Sequence, residues 1–186
     1  MEITTIKNFT ENIVNKGFQV EEYLCLVNPS KTVVSYGSQN DVDFAYCKEH
    51  DIPCYNLKRD GGCIIHFAGN ICWAKIESNQ KLNFDYENIR FLAKLTAYLR
   101  EKGINAVQEN NDILVDGYKV ASGCAINLTP DFVRTFSAVQ INVNCDLELI
   151  QNVCKKPMKK TPKGLSEYGI TTNEMLIFTN NYFKNK

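Results

Sequence analysis

Arginine is scarce in this chain. Only Arg59, Arg90, Arg100 and Arg134 occur among 21 basic residues, and 21 acidic residues bring the formal charge to zero. That balance excludes a nucleic-acid binder working through an overall positive field, since such proteins must displace counterions from phosphates. Histidine is scarcer still, at two residues, and no Cys-x-x-Cys pair occurs, so the ligand spacing of a structural zinc site is missing. The opening stretch MEITTIKNFTENIVNKG carries charges throughout and lacks the apolar core of an export signal. No run reaches the apolar length that a membrane span needs. The expectation from these absences is a cytoplasmic protein that binds neither membrane nor nucleic acid.

Against these shortages stand eight cysteines. In an exported domain they would be read as bridges, but without an export signal they are expected to be reduced thiols. Cys25, Cys63, Cys72, Cys124 and Cys145 lie inside apolar runs, where cysteine packs as a small hydrophobe. With 186 residues, 44% of them hydrophobic and 23% charged, the chain has enough apolar material for one domain over 1–186 and is not a disordered segment.

Ile3, Ile6, Phe9, Ile13 and Val14 recur at helical spacing and predict a helix over 3–16, ending at Gly17. EEYLCLVN and TVVSYG read as short strands around Asn28-Pro29-Ser30, residues 40–50 as a short helix, and IPCYNL as a strand. CIIHF and ICWAKIE are two β-rich runs joined at the turn-prone Gly69-Asn70. The clearest helix spans 85–102, where Ile89, Leu92, Leu95 and Leu99 share a face and Gly103 caps the end. INAVQ and DILVDGYKVAS follow as strands, with Asp116-Gly117 as a tight hairpin turn. SAVQINVN reads as another strand, and DLELIQNVCKK as a helix opening on an acidic residue. KKPMKKTPKG is a lysine-rich loop broken by two prolines, and TTNEMLIFTNNYFKNK a closing helix. Strands on both sides of one long helix, with hairpins among them, give an α+β class with a mixed or antiparallel sheet and packed helices.

Gly61-Gly62 follows Lys58-Arg59 and precedes a strand. Two residues without Cβ admit a ligand close to the backbone, and successive N–H groups can cradle phosphate or carboxylate oxygens; the same pair also serves simply as a turn entering a strand. No Gly-Lys-Ser/Thr follows, so this is not a Walker loop, and no helix follows, so it is not a dinucleotide fingerprint. Lys119, two residues after the hairpin turn, reads either as an exposed strand lysine or as a compact charge held against a carboxylate or phosphoryl group. His66, between Ile65 and Phe67, reads as a structural histidine or as a catalytic base.

Taken in order, these motifs resemble the catalytic domain of the lipoate–protein ligases, within the biotin/lipoate ligase superfamily. TVVSYGSQN is similar to the family's Thr-Val-Val-Ile-Gly-Arg-x-Gln-Asn. The segment 49–70 is similar to one ending Arg-Arg-x-Ser-Gly-Gly-Gly-Ala-Val-Tyr-His-Asp-x-Gly-Asn, with Gly61, Gly62, His66, Gly69 and Asn70 in place. NNDILVDGYKVASGCA resembles Arg-Asn-Asp-Ile-x-Val-x-Gly-x-Lys-Ile-Ser-Gly-Ser-Ala, with Asn111, Asp112, Gly117 and Lys119 in place. The likeness runs over about residues 20–170. It implies that lipoate and ATP form lipoyl-adenylate, with Mg²⁺ accompanying the ATP, and that a lysine of a lipoyl carrier domain then takes the acyl group. It also implies that Gly61, Gly62, Cys63, Ile64, Ile65 and His66 lie along the adenylate, that Lys119 contacts the acyl-phosphate, and that Asn111 and Asp112 sit nearby. No dedicated protein metal site is expected. Some relatives obtain an accessory domain as a separate polypeptide, and a partner of that kind is expected here.

The departures from the pattern remove polar groups. The paired arginines fall on Asn56 and Leu57, leaving Arg59 and Lys58 as the nearest cations; the third glycine is Asp60; the His-Asp pair is His66-Phe67; and the family's His-Gly-Thr is Ala138-Val139-Gln140. After Lys119 the stretch is one residue longer than the pattern. Two alternatives follow: a thiol-dependent octanoyl or lipoyl acyltransferase of the same superfamily, with Cys124 as its nucleophile, or a module of this fold that binds without turnover. The five lysines of 155–163 read as a solvated turn or as a face for an acidic carrier domain.

Overall fold

The computed structural model describes residues 2–11, 23–57, 62–78, 86–128 and 134–185. Its described strands form two sheets. The larger has seven strands in the order β1 (Glu2–Thr4), β2 (Tyr23–Val27), β6 (Ile71–Ser78), β10 (Arg134–Ile141), β9 (Tyr118–Asn127), β8 (Asp112–Val115) and β7 (Ala106–Glu109), antiparallel except for the parallel β1–β2 pair. The smaller places β3 (Val33–Tyr36) between β4 (Cys54–Asn56) and β5 (Cys63–His66). Helices α3 (Glu87–Glu101) and α5 (Thr172–Lys184) pack on the large sheet, whereas α2 (Phe44–Glu49) and α4 (Leu147–Val153) join the small sheet in its own apolar cluster. The α+β class and the mixed sheet are as the sequence indicates.

Strand alternation divides the core. Leu26, Ile71, Trp73, Val139 and Ile141 project toward α3 and α5, where Trp73 and Phe91 meet edge to face at 5.1 Å. Their neighbours Cys25, Val27, Ala74, Ile76 and Phe136 project to the opposite face.

Two expectations are corrected. The helix expected over 3–16 begins only at Ile6: Glu2–Thr4 is a strand whose partners Cys25, Leu26 and Val27 are distant in sequence, and Thr5 caps a short α1 (Ile6–Phe9) by accepting from the Asn8 N–H. Residues 12–17 of that expectation lie outside the described residues. The Gly69-Asn70 turn does not close a hairpin, because β5 belongs to the small sheet and β6 to the large one. Gly69 has φ +83°, and a Cβ there would lie 2.8 Å from Asn144 Nδ2 and from Thr172 Oγ1. The Asn70 side chain accepts from the Asn144 N–H at 2.8 Å, so the turn is pinned as the crossing between sheets. By contrast, Asp116 and Gly117, both at positive φ, form the expected tight turn of β8–β9.

Candidate functional site

β5, the outer strand of the small sheet among the described residues, borders a cleft of about 290 Å³ whose other walls come from β9, β10, α4 and the lysine loop. Cys63, Ile64, Ile65 and His66 line it along β5, and Lys119, Ser122 and Cys124 along β9. Gln140 crosses between the sheets, donating from Nε2 to the Ile65 carbonyl at 2.8 Å and to Asn142 Oδ1 at 3.0 Å. Ile64, 41% exposed, and Met158, 38% exposed, leave an apolar rim.

Lys119 reaches this cleft through an irregularity of its strand. The β8–β9 register shifts between Ile113 and Leu114, leaving one residue of β9 over. Val120 and Ala121 are both fully buried in the cluster beneath α3, so alternation restarts with Lys119 on the other side, beside Ser122 and Cys124. The one-residue excess over the family pattern falls at this bulge. The Lys119 backbone is gripped by the lysine loop: its N–H donates to the Thr161 carbonyl at 2.8 Å, and its carbonyl accepts from the Lys163 N–H at 3.0 Å.

The charge of the lining is one-sided. Lys119, Lys159 and Lys160 contribute to it, and no carboxylate does among the described residues. Lys160 is neutralised from outside the cleft by Glu109 at 3.1 Å and Asp112 at 3.2 Å. Lys119 and Lys159 make no ion pair or side-chain hydrogen bond among the described residues.

His66 is buried and adds no compensating or extra charge near neutral pH. Burial lowers its pKa to about 4, and its Nε2 is 2.8 Å from Ser35 Oγ. Ser35 stands two positions from His66's cross-strand partner Val33, on the same face. His66 Nδ1 and Gln140 Oε1 are buried without a protein partner. Two thiols also meet here: Cys63 and Cys154 share a hydrogen bond, which together with burial raises Cys63, while the same bond lowers Cys154. Cys124 is exposed, and none of the eight cysteines, all of them among the described residues, is in a disulfide.

The remaining expected residues stand elsewhere. Asp112 lies behind the lining, accepting from Ser122 Oγ at 2.8 Å on one oxygen and pairing with Lys160 through the other. Asn111 faces α3, accepting from Asn88 Nδ2 at 3.0 Å, and its carbonyl accepts from the Gly123 N–H at 2.7 Å. Gly62 enters β5, and a Cβ there would meet nothing within 4 Å. Arg59 and Gly61 lie outside the described residues. Ser35, Gln140, Lys159 and Cys154 are cleft or supporting residues that the motifs do not single out. The lysine loop was the visible signal for Lys159, but its docking on β9 is a long-range contact. Among the described residues, no group of three or more His, Cys, Asp or Glu could hold a metal ion, and no helix is long and apolar enough to cross a membrane.

Comparison with known proteins gives a consistent picture. Residues 7–176 match the family model described as the lipoyl protein ligase A/B catalytic domain. No curated protein matches the chain. Among solved structures, a Thermoplasma acidophilum protein with bound lipoic acid is 14% identical with a TM-score of 0.73, covering 99% of this chain and 83% of that one. A bi-partite lipoate protein ligase of an archaeal lipoylation system, also from T. acidophilum and described together with its E2 lipoyl domain, is 14% identical with a TM-score of 0.71, covering 100% and 81%. Lipoate-protein ligase A bound with ATP is 15% identical with a TM-score of 0.68, covering 96% and 82%. At such identities the structural likeness establishes the fold.

Proposed function

Because the chain belongs to the lipoyl protein ligase A/B catalytic domain family, we propose that it acts as one catalytic domain of a lipoate–protein ligase. It activates lipoate with ATP, or accepts lipoyl-adenylate, and passes the lipoyl group to a lysine of a lipoyl carrier domain. The observation that carries this reading is the cleft itself: an apolar wall at Ile64 and Ile65, with lysines and no carboxylate among the described residues of the lining, matches an aliphatic acid with an anionic head. Relatives of this fold hold lipoic acid and ATP, and one is described with its lipoyl domain, which supports the choice of ligands and carrier. The bi-partite relative also favours a separate accessory protein as a partner.

In the first step a lipoate carboxylate oxygen attacks the α-phosphorus of ATP, and the bond to the departing pyrophosphate breaks. In the second, the Nζ of a carrier lysine attacks the acyl carbon, AMP leaves, and the nitrogen loses a proton. Lys119 stabilises negative charge on the acyl-phosphate oxygens in both steps, from a position fixed by the bulge and the lysine loop. Gly61, Gly62 and Cys63 run along the adenylate, with Arg59 adding charge, while Ile64 and Ile65 contact the aliphatic tail. His66, neutral, offers hydrogen bonds rather than charge. Asp112 positions Ser122 and Lys160. Both its oxygens are engaged, by Ser122 and Lys160, and Mg²⁺ enters as part of the ATP substrate.

The test supplies lipoate, ATP and an apo lipoyl domain, and follows pyrophosphate release and carrier mass with and without preformed lipoyl-adenylate. Pyrophosphate release with carrier modification supports the full ligase. Modification from the adenylate alone supports the transfer half-reaction with an accessory partner. Adenylate neither bound nor consumed would refute the reading.

A second reading rests on the thiols. Cys124 and Cys154 line the same cleft as Lys119, and the Cys63 hydrogen bond lowers Cys154. A thiolate there would attack an octanoyl thioester, expel the donor thiol, and yield the acyl group to a carrier lysine. Transfer from an acyl-carrier thioester that is abolished by Cys124→Ser or Cys154→Ser would favour this route; transfer unchanged in both variants would exclude it.

A further inference from the structure

The lysine loop holds five cations in nine positions, 155–163, and four of them have companions. Lys155 lies 3.9 Å from Asp43, Lys156 lies 2.8 Å from the buried carboxylate of Asp41, Lys160 pairs with Glu109 and Asp112, and Lys163 lies 3.4 Å from Glu167 and over the Tyr118 and Tyr168 rings. Lys159 is the exception. It makes no such contact among the described residues, and it lines the cleft. Its loop is not a free strap: the Lys155 N–H donates to the Asp41 carbonyl at 3.0 Å, and the Thr161 carbonyl and Lys163 N–H bracket Lys119. Among the described residues, then, two lysines without counter-charge share one cleft, held by adjoining backbone segments.

An uncompensated pair of ammonium groups repels itself and is stabilised by an anion placed between or beside them. The sequence has Asn56 and Leu57 where the family pattern has its arginine pair, so those two positions carry no guanidinium and Arg59 is the one arginine left before β5. We propose that Lys159 is a phosphate-binding residue of this cleft, supplying from the opposite wall the charge that the missing arginines would have supplied. The ligand class is a phosphate mono- or diester, and the identification of that phosphate with an acyl-adenylate rests on the ligase reading above. Lys119 then serves the acyl end and Lys159 the phosphoryl end of one ligand.

The experiment is calorimetric titration of the full chain with three probes: inorganic pyrophosphate, lipoate, and a non-hydrolysable phosphate ester joining a lipoyl-length alkyl chain to adenosine. Lys159→Gln is compared with Lys155→Gln, which removes the same charge from the same loop but outside the cleft. Lys159→Gln is expected to weaken the phosphate ester and pyrophosphate by about tenfold, as for a lost charge-assisted contact, and to leave lipoate within about twofold. Lys155→Gln should change all three by less than about twofold. Ester binding that Lys159→Gln weakens no more than Lys155→Gln, or an equal loss for lipoate, overturns the proposal while leaving the ligase reading intact. Lys159-dependent pyrophosphate binding without ester or lipoate binding upholds the phosphate site and removes the ligase reading. Wild-type protein that binds none of the probes overturns both. Unchanged thermal midpoints of the two variants exclude unfolding as the cause.

Discussion

His66 shows how a single residue ties the cleft to the stability of the fold. Its imidazole is neutral in the native state down to about pH 4 because burial disfavours the charged ring. In the unfolded chain it titrates near its ordinary value of about 6.5. Between those values the unfolded chain binds a proton that the native protein refuses, so this residue subtracts stability as pH falls from 6.5 toward 4 and subtracts none above 6.5. Denaturant unfolding at pH 7 and pH 5 should show wild type losing about 2 kcal/mol more than His66→Gln over that interval. Equal losses would mean that the ring is protonated in the folded protein. Lys119 carries a different lesson. Its residue type and motif are plain in the sequence, but simple alternation would set it on the same face as Ala121 and Gly123. Only the bulge puts it in the cleft, and a bulge needs the partner strand to be known.

Among the elements, α3, β6 and α5 meet at a buried acid. Glu87, in the first turn of α3, is fully buried; Lys75 of β6 lies 3.2 Å and Arg90 of α3 3.1 Å from its carboxylate, which also accepts a hydrogen bond from the Tyr182 hydroxyl of α5. Burial, followed by that bond, raises the Tyr182 pKa. Removing one partner of a buried charged group leaves the others without compensation. Glu87→Ala should therefore destabilise the fold by about 3 kcal/mol in denaturant titration, and a double-mutant cycle with Tyr182→Phe should show coupling. A loss below about 1 kcal/mol would place the acid in solvent rather than at the junction. The elements themselves were legible where local chemistry decides them: the α3 stripe of Leu92, Leu95 and Leu99, the Asp116-Gly117 turn, and the Thr171 cap of α5, which closes a reciprocal box with Glu174. They were illegible where a distant partner decides. Glu2–Thr4 became a strand through β2, and Gly69-Asn70 became a crossing between sheets through Asn144 and Thr172.

At the scale of the whole molecule, a net charge of zero conceals an uneven distribution. Acids cluster against the outer lysines, and in the cleft between the small sheet's β5 edge and the large sheet Lys119 and Lys159 have no counter-charge among the described residues. The β5 residues and Lys119 were visible as cleft candidates because they sit in contiguous motifs. Gln140, Cys154 and Lys159 were not, because they arrive from β10, α4 and a loop that only the fold brings together. The central claim is that this cleft transfers a lipoyl group with Lys119 as its electrostatic anchor. Its most direct test is intact-mass measurement of an apo lipoyl domain incubated with preformed lipoyl-adenylate and either wild-type protein or Lys119→Ala. The account predicts one lipoyl group on one carrier lysine with wild type, at a rate that Lys119→Ala lowers by about 10²–10³-fold. A carrier left unmodified by wild type, or modified equally fast by Lys119→Ala, would contradict it.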